Sequence, residues 1–402
     1  MTEAYIFDAI RTPRGKGSAK KGSLKDIKPI HLLDQLYQAL EDRTNLNDKD
    51  LQEIILGCVA QIGDQGADIA KISAIYHGWG DHIGGMALNS FCTSSLSAIG
   101  LATAKIRSEM ADMVIAGGVE MLSRVPMYAD KGAWYTDEEI IESTHFTQMG
   151  VSADLIASLE GFEREALDAY AAQAHQRAAA ATQNGYFKKS LIPVKDKTGK
   201  VVLDYDESIR PNTSIEGMKG LSPIFGEFVT PSIRTKIQKR YPQLKELKHV
   251  HHLGTSPGMA DGASILLMGS LEKGKAMGLT PRAKVRSYDS TSCEPIVMLL
   301  GGQISMENAV KKAGLTMQDI DLHNFAEAFS ATCLKYQRDL NIDPDKFNVN
   351  GGTMVMGHAQ GASGAMITTT LLEEMERRAV QFGVAGISGG AGVGAGIVIE
   401  IV

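Results

Sequence analysis

Apolar positions recur at helical spacing in two stretches of the chain, and the same sequel follows each. Over His31–Leu40 they fall three and four residues apart, and a polar turn (Asn45–Asp50) leads to an apolar segment, Leu51–Leu56. The order returns at Ser305–Ala313, Gly314-Leu315-Thr316 and Ile320-Asp321-Leu322, with acidic residues at the start of the apolar segment in both copies. The parallel continues. Asn89–Ser95 opens a predicted helix running to about Met110, and the strand Met113–Ala116 then meets Gly117-Gly118. In the second copy Gly357–Ser363 opens a helix to about Arg378, and a strand near Gln381–Ile387 precedes Gly389-Gly390. Strands alternating with helices predict an α/β fold with parallel sheets covered by helices, and two such halves predict pseudo-twofold symmetry.

Residues 121–252 interrupt this rhythm. A helical pattern over Arg164–Asn184 is followed by polar loops at 195–201 and 210–214 and by the Lys/His-rich 245–252, after which Gly254–Ala263 leads into the apolar strand Ser264–Met268. The pattern divides the chain into a first half of residues 1–120 with 253–274, an inserted loop domain of residues 121–252, and a second half of residues 275–402. Long loops on a rigid α/β scaffold are where binding residues concentrate.

The 402 residues are 44% hydrophobic and 22% charged, with a formal net charge of −6. That balance, without a basic tract, excludes an electrostatic nucleic-acid binder. The first ten residues lack the basic and apolar regions of a signal peptide, and no run is long enough to span a membrane. Cys58, Cys92, Cys293 and Cys333 have neither metal-ligand nor disulfide-framework spacing, so no metal is expected and a reducing cytoplasm fits.

One of those thiols stands where chemistry is favoured. Cys92 precedes a predicted helix start, whose free N–H groups and positive dipole end stabilise a thiolate or a neighbouring oxyanion. His358 occupies the corresponding junction of the second half, among small residues that let backbone or ligand approach. Taken singly, each is better explained as a buried structural cysteine and a loop histidine. The duplication brings the two helix starts together, where an imidazole can take the thiol proton. The glycine-rich Ser388–Gly396 precedes a strand-like Ile397–Glu400, whereas a dinucleotide-binding loop must open a helix. A backbone N–H site for an oxyanion suits it better.

Several segments in this order resemble the thiolases over essentially the whole chain: Asp8–Pro13, Gly117–Arg124, Asp261-Gly262-Ala263, Glu327-Ala328-Phe329, Asn350-Gly351-Gly352 and Gly357-His358. The resemblance implies a duplicated, five-layered α-β-α-β-α fold and acyl transfer between coenzyme A thioesters, in fatty-acid or short-chain acyl-CoA metabolism. It implies Cys92 as the acyl-accepting nucleophile and His358 as its base, which also helps hold the thioester oxygen of a second acyl-CoA. The backbone N–H groups of Cys92 and Ser388 would form the other oxyanion site. Coenzyme A and acyl-CoA enter as substrates with no permanently bound cofactor, and the expected assembly is a homodimer or homotetramer.

The chain departs from the family pattern around that site. Aligned on its glycines, the family's second, acid/base cysteine falls on Gly386, and Ser388 replaces the first glycine of the run. Ala326 stands where the Asn of Asn-Glu-Ala-Phe holds a water, Ala359 follows His358 in place of proline, and Pro257 replaces a serine that seats the pantetheine arm. Glycine moves no proton, so the sequence predicts retained acylation with slow carbon–carbon chemistry. The alternatives are a hydrolytic or specialised condensing enzyme, and a non-catalytic acyl-CoA-binding subunit.

Overall fold

The computed structural model describes residues 2–402. The first half runs β1 (Tyr5–Arg11), β2 (Gly15–Lys16), α1 (Pro29–Thr44), β3 (Glu53–Gly57), α2 (Ile69–His77), β4 (Gly84–Leu88), α3 (Ser94–Arg107) and β5 (Met113–Met121). The chain then leaves the sheet and returns only at β8 (Ala260–Gly269). Between them lie α4 (Ala133–Thr136), α5 (Glu138–Ser143), α6 (Met149–Glu160), α7 (Arg164–Gln183), the hairpin β6 (Val194–Lys195) and β7 (Val201–Leu203), α8 (Ile215–Met218) and α9 (Pro231–Arg240). After α10 (Leu271–Ala276), the second half runs β9 (Ala283–Ser292), α11 (Gly301–Lys312), β10 (Leu322–Phe325), α12 (Ser330–Asp339), α13 (Thr353–Met356), α14 (Ser363–Arg378), β11 (Phe382–Ser388) and β12 (Val393–Ile401).

The strand order β10-β11-β12-β9-β1-β8-β5-β3-β4 makes the duplication explicit. Outward from the β1/β9 contact, β1-β8-β5-β3 on one side repeats as β9-β12-β11-β10 on the other. The sheet is mixed, where the alternation of elements predicted a parallel one. β3 is parallel to β4 and β5, and β10 to β11, but β8 and β12 run antiparallel to both of their neighbours. The reason is connectivity. Each of these strands doubles back beside an earlier one, β12 after β11 through a tight glycine turn and β8 after β5 through the long excursion, so each pair is antiparallel.

Several boundaries shift for local reasons. α1 starts two residues early because Pro29 is preset for the first helical turn, and it ends at a left-handed Asn45. α3 stops at Arg107, and Glu109 just beyond it is left-handed (φ 60°). Gly117-Gly118 does not end β5 but lies inside it. A Cβ on Gly117 would stand 2.1 Å from the Ser264 carbonyl oxygen, and one on Gly118 2.4 Å from that of Gly361, so the pair permits close packing on both faces.

The two wings of the sheet enclose α3 and α14. A single apolar cluster joins Ile6, Val114 and Leu266 of the first wing to Val285, Ile387 and Ile397 of the second through Leu96, Ile99, Ile367 and Leu371 of those helices. Outside, α1 and α2 cover the first wing with Leu32, Leu36 and Ala70, and α11 and α12 cover the second with Met306, Val310 and Tyr336. The chain from β5 to β8 packs mainly on the second half: α6 and α9 rest on Ile296–Leu299 and Phe329, and α7 on Met306 and Phe325.

The helix starts are drawn together by small residues and one buried acid. A Cβ on Gly364 would lie 2.6 Å from the Leu96 nitrogen, and the Ala365 N–H donates to Ser95 Oγ at 2.9 Å. Glu120, at the end of β5 and fully buried, accepts the N–H groups of Val59 and Gly361, each at 2.9 Å, and the Gln65 side-chain amide at 2.7 Å. Glu120→Ala strands these donors away from water, and urea unfolding should register a loss of ~2–5 kcal/mol.

Candidate active site

Cys92 sits on a sharp strand-to-helix turn after β4. Phe91 is left-handed (φ 49°), a conformation that costs a non-glycine residue free energy and persists only where the surroundings enforce it. Here they do. The Phe91 N–H donates to Asn89 Oδ1 at 2.8 Å, the Ser90 N–H to Ser94 Oγ at 2.9 Å, and Thr93 Oγ1 to the Ser90 carbonyl at 2.6 Å. The turn sets Cys92 two residues before α3 with its side chain toward the start of α14.

His358 meets it there. Its Nε2 lies 3.2 Å from Cys92 Sγ, and its Nδ1 is 2.8 Å from the hydroxyl of Ser363, the first residue of α14. With the ring proton on Nδ1 and directed at Ser363, Nε2 is left as an acceptor for the thiol proton. Gly357, left-handed at φ 115°, lets the loop pass Ala260, whose Cβ would stand 2.8 Å from a side chain at 357. Backbone bonds at 2.7 Å to the Gly258 carbonyl and 3.1 Å from the Ala260 N–H fix residue 358 against the neighbouring chain.

The pair is neutral at rest. Burial, reinforced by the Glu120 charge, pushes the Cys92 thiol up to about 12, against the opposing N–H groups of Cys92 itself and Gly390. Burial, with the Arg14 guanidinium nearby, holds His358 down to about 4. A thiol that ionises this reluctantly acts as a nucleophile only when a base takes its proton during attack, and an unprotonated imidazole is in contact with it.

Two cavities meet at Cys92. One, of about 170 Å³, is lined by Phe225, Pro257, Ala326, Phe329, His358 and Ile387 among others, and thus joins both halves to the chain between β5 and β8. The other, of about 210 Å³, is bounded by Phe91, Trp134, Tyr135 and Phe146. The second cavity was not legible in the sequence, because Phe91 and Phe146 lie in turns and loops and Trp134 and Tyr135 on a four-residue helix, with no periodic pattern.

The other residues singled out from the sequence divide. Ala326 and Pro257 line the first cavity. Asn324 does not: its amide donates to the Ile367 carbonyl at 2.9 Å and to Thr370 Oγ1 at 3.1 Å. His323 is buried beside the Tyr336 hydroxyl, 3.0 Å away, and burial holds it down to about 3. The Ser388 hydroxyl accepts the Gly302 N–H at 2.9 Å and donates to the Leu299 carbonyl at 2.7 Å, so it serves the start of α11. The glycine-turn N–H that opposes the rise in the Cys92 thiol is that of Gly390.

Gly386 lies on the strand face turned away from the cavity. On sequence it takes the place of a side chain facing the substrate, but a Cβ there would lie 2.2 Å from Met306 Cγ, on the face of β11 turned to α11. Strand alternation puts Gly386 and Ser388 on that face and Ile387 on the other, where Ile387 lines the cavity with Cys92. The side chain that β11 offers the site is therefore an inert isoleucine. A thiol at Ile387→Cys should react with a small alkylating reagent, whereas one at Gly386→Cys should be shielded. The crowded Gly386→Cys should also lower unfolding free energy by ~1–3 kcal/mol, read by denaturant titration with Cys92 as serine in both variants.

Comparison with known proteins adds lineage to this geometry. Residues 4–231 match the thiolase N-terminal domain and residues 279–401 the thiolase C-terminal domain. The chain is 34% identical over 407 residues to a 3-ketoacyl-CoA thiolase of Aeromonas hydrophila and 35% identical over 410 residues to one of Cronobacter sakazakii, covering 100% of both chains in each case. The crystal structure of the Bacillus anthracis acetyl-CoA acetyltransferase superposes with a TM-score of 0.87 at 29% identity, across 100% of this chain and 99% of that one. Two duplicated halves, a cysteine and a histidine meeting at their paired helix starts, and full-length matches to both domains lead to one conclusion: this chain belongs to the thiolase family.

Proposed function

We propose that the protein transfers acyl groups between coenzyme A thioesters through an acyl-enzyme on Cys92. The observation that carries this reading is the 3.2 Å contact between His358 Nε2 and the sulfur of Cys92, the residue at which two cavities meet. As the sulfur attacks the thioester carbonyl, its proton passes to Nε2. The carbonyl oxygen, now negative, is met by the backbone N–H of Cys92 and by those of Ser388 and Gly390 in the glycine turn, the Gly389 N–H being spent on the Val393 carbonyl. Coenzyme A leaves as its thiol, taking the proton back from His358, and the acyl group remains on Cys92. Dipoles held in place before charge develops are the largest source of rate in such a site.

The second half-reaction is less well supplied. In the family's chemistry a cysteine and an asparagine-held water serve the carbon–carbon step, and here the cavity presents Ile387 and Ala326. The loss of one oxyanion donor typically lowers turnover ~10²–10³-fold. Acylation is thus the fast step, and thiolysis or condensation the slow one. The same two side chains favour a second reading, in which the acyl-enzyme resolves by hydrolysis or a specialised condensation, and product analysis separates the two.

Coenzyme A is substrate in this reading, and the cytoplasm, with its reducing conditions, is the proposed location, since all four cysteines are free. Among the described residues no helix is long and apolar enough to cross a membrane. Ile72, Ile75 and Tyr76 on α2 and Met86 on the edge strand β4 are exposed together, and we assign this face to a homo-oligomeric contact. Light scattering tests it: a species of 43.2 kDa, one chain, removes the contact.

Intact-mass measurement after mixing with acyl-CoA tests the acyl-enzyme. One acyl group should add to the natural protein and none to Cys92→Ser, and an adduct surviving that substitution sinks the assignment. The rate should also be nearly flat between about pH 6 and 9, since the base stays unprotonated down to about 4 and the thiol un-ionised up to about 12. A rise approaching tenfold per pH unit would instead mark a free thiolate as the attacking species.

A further inference from the structure

The acyl-enzyme reading leaves the second cavity at Cys92 without an occupant. Its walls are aromatic to an unusual degree for this chain, in which only 6% of residues are Phe, Trp or Tyr. The Trp134 ring lies 5.0 Å from Phe91, and 4.8 Å from Phe146 at a near-perpendicular 88°. Tyr135 joins Tyr128 with centroids 4.5 Å apart. The cage rests directly on the reactive turn: a Cβ on Gly390 would stand 3.1 Å from both Trp134 and Phe91.

A second observation points to a ligand. Gln360 lines both cavities beside Cys92 and is 7% exposed, yet its Oε1 has no hydrogen-bond partner. A buried acceptor left unpaired costs free energy, and the partner it lacks is an N–H or O–H donor, which the amide-bearing arm of coenzyme A carries and the thioester itself does not. Gln360 belongs to the walls of both cavities, so its amide stands where they join.

From these we infer that the aromatic cavity receives the acyl group, and that the preferred acyl groups are compact and ring-bearing, aryl-acyl thioesters of coenzyme A. This rests on the acyl-enzyme reading and names its substrate class. An apolar cavity of ~150 Å³ suffices to take up benzene, and this one measures about 210 Å³. Rings favour edge-to-face and offset contacts with other rings, which the perpendicular Trp134–Phe146 pair offers from two sides. A long straight chain gains none of that geometry and outgrows the space. The step balances as ordinary thioester exchange: the carbonyl carbon forms a bond to Cys92 Sγ and breaks its bond to the coenzyme A sulfur, and the Cys92 proton ends on the released thiol.

Rapid-quench intact-mass measurement of the full chain with phenylacetyl-CoA, acetyl-CoA and hexadecanoyl-CoA at equal concentrations tests the inference. Phenylacetyl-CoA should acylate Cys92 at least ~10-fold faster than hexadecanoyl-CoA. Trp134→Ala and, separately, the milder Phe146→Leu should each cut that ratio at least ~3-fold. Equal or faster acylation by hexadecanoyl-CoA, or a ratio that neither substitution changes, overturns the inference. Acylation by acetyl-CoA alone also overturns it and leaves the acyl-enzyme reading standing, whereas no acylation by any of the three removes both.

Discussion

A single buried carboxylate holds the two halves in register. Glu120 accepts N–H groups from the loop after β3 in its own half and from Gly361 in the other, three residues beyond His358. Burial raises its pKa, and several N–H donors offset that cost. The arrangement carries an electrostatic penalty for chemistry. Burial keeps the thiol from ionising, and the charge that aligns the base with it adds to that effect. Geometry is secured at the expense of a ready thiolate, and that expense makes a base in contact with the sulfur indispensable.

The site divides by origin. Cys92, His358 and the glycine turn come from the duplicated scaffold, where helix starts, strand ends and one acid over-determine their positions. Met127, Tyr128, Trp134, Phe146 and Met149, which shape the space around the sulfur, come from the chain between β5 and β8. Rigid elements hold the reacting atoms within the fractions of an ångström that catalysis requires. Looser turns set what fits beside them. Substrate preference can therefore drift without disturbing the contact between Cys92 and His358.

How much of this was legible follows from where local pattern and tertiary packing agree. The repeated helix–turn–strand order revealed the duplication, and with it the meeting of residues 92 and 358, because a helix start is a local feature written twice. The register of β11 was not legible. Phe382–Ser388 is buried along almost its whole length and built of small and apolar residues on both faces, so alternation gives no inside or outside. Aligning glycines placed Gly386 toward the substrate, and only the Met306 contact turns it away. Gly117-Gly118 misled in the same manner: glycine signalled the end of a strand, while close neighbours on both faces require it within one. The mixed direction of the sheet was hidden because β8 lies far along the chain from the strands it joins.

That distance has a consequence for synthesis. β1 is made long before its partners β8 and β9, and the Ser264 hydroxyl bonds the Ile10 carbonyl across 254 positions. At ~5–20 residues per second, the ribosome takes roughly 13–50 s to deliver that partner. Throughout that interval Ile6, Phe7 and Ile10, all buried in the finished fold, belong to a strand with both edges open. The nascent chain must be sheltered by other contacts or by chaperones until the excursion between β5 and β8 has been made. The joint between the halves thus includes a strand that is translated long before either of its partners.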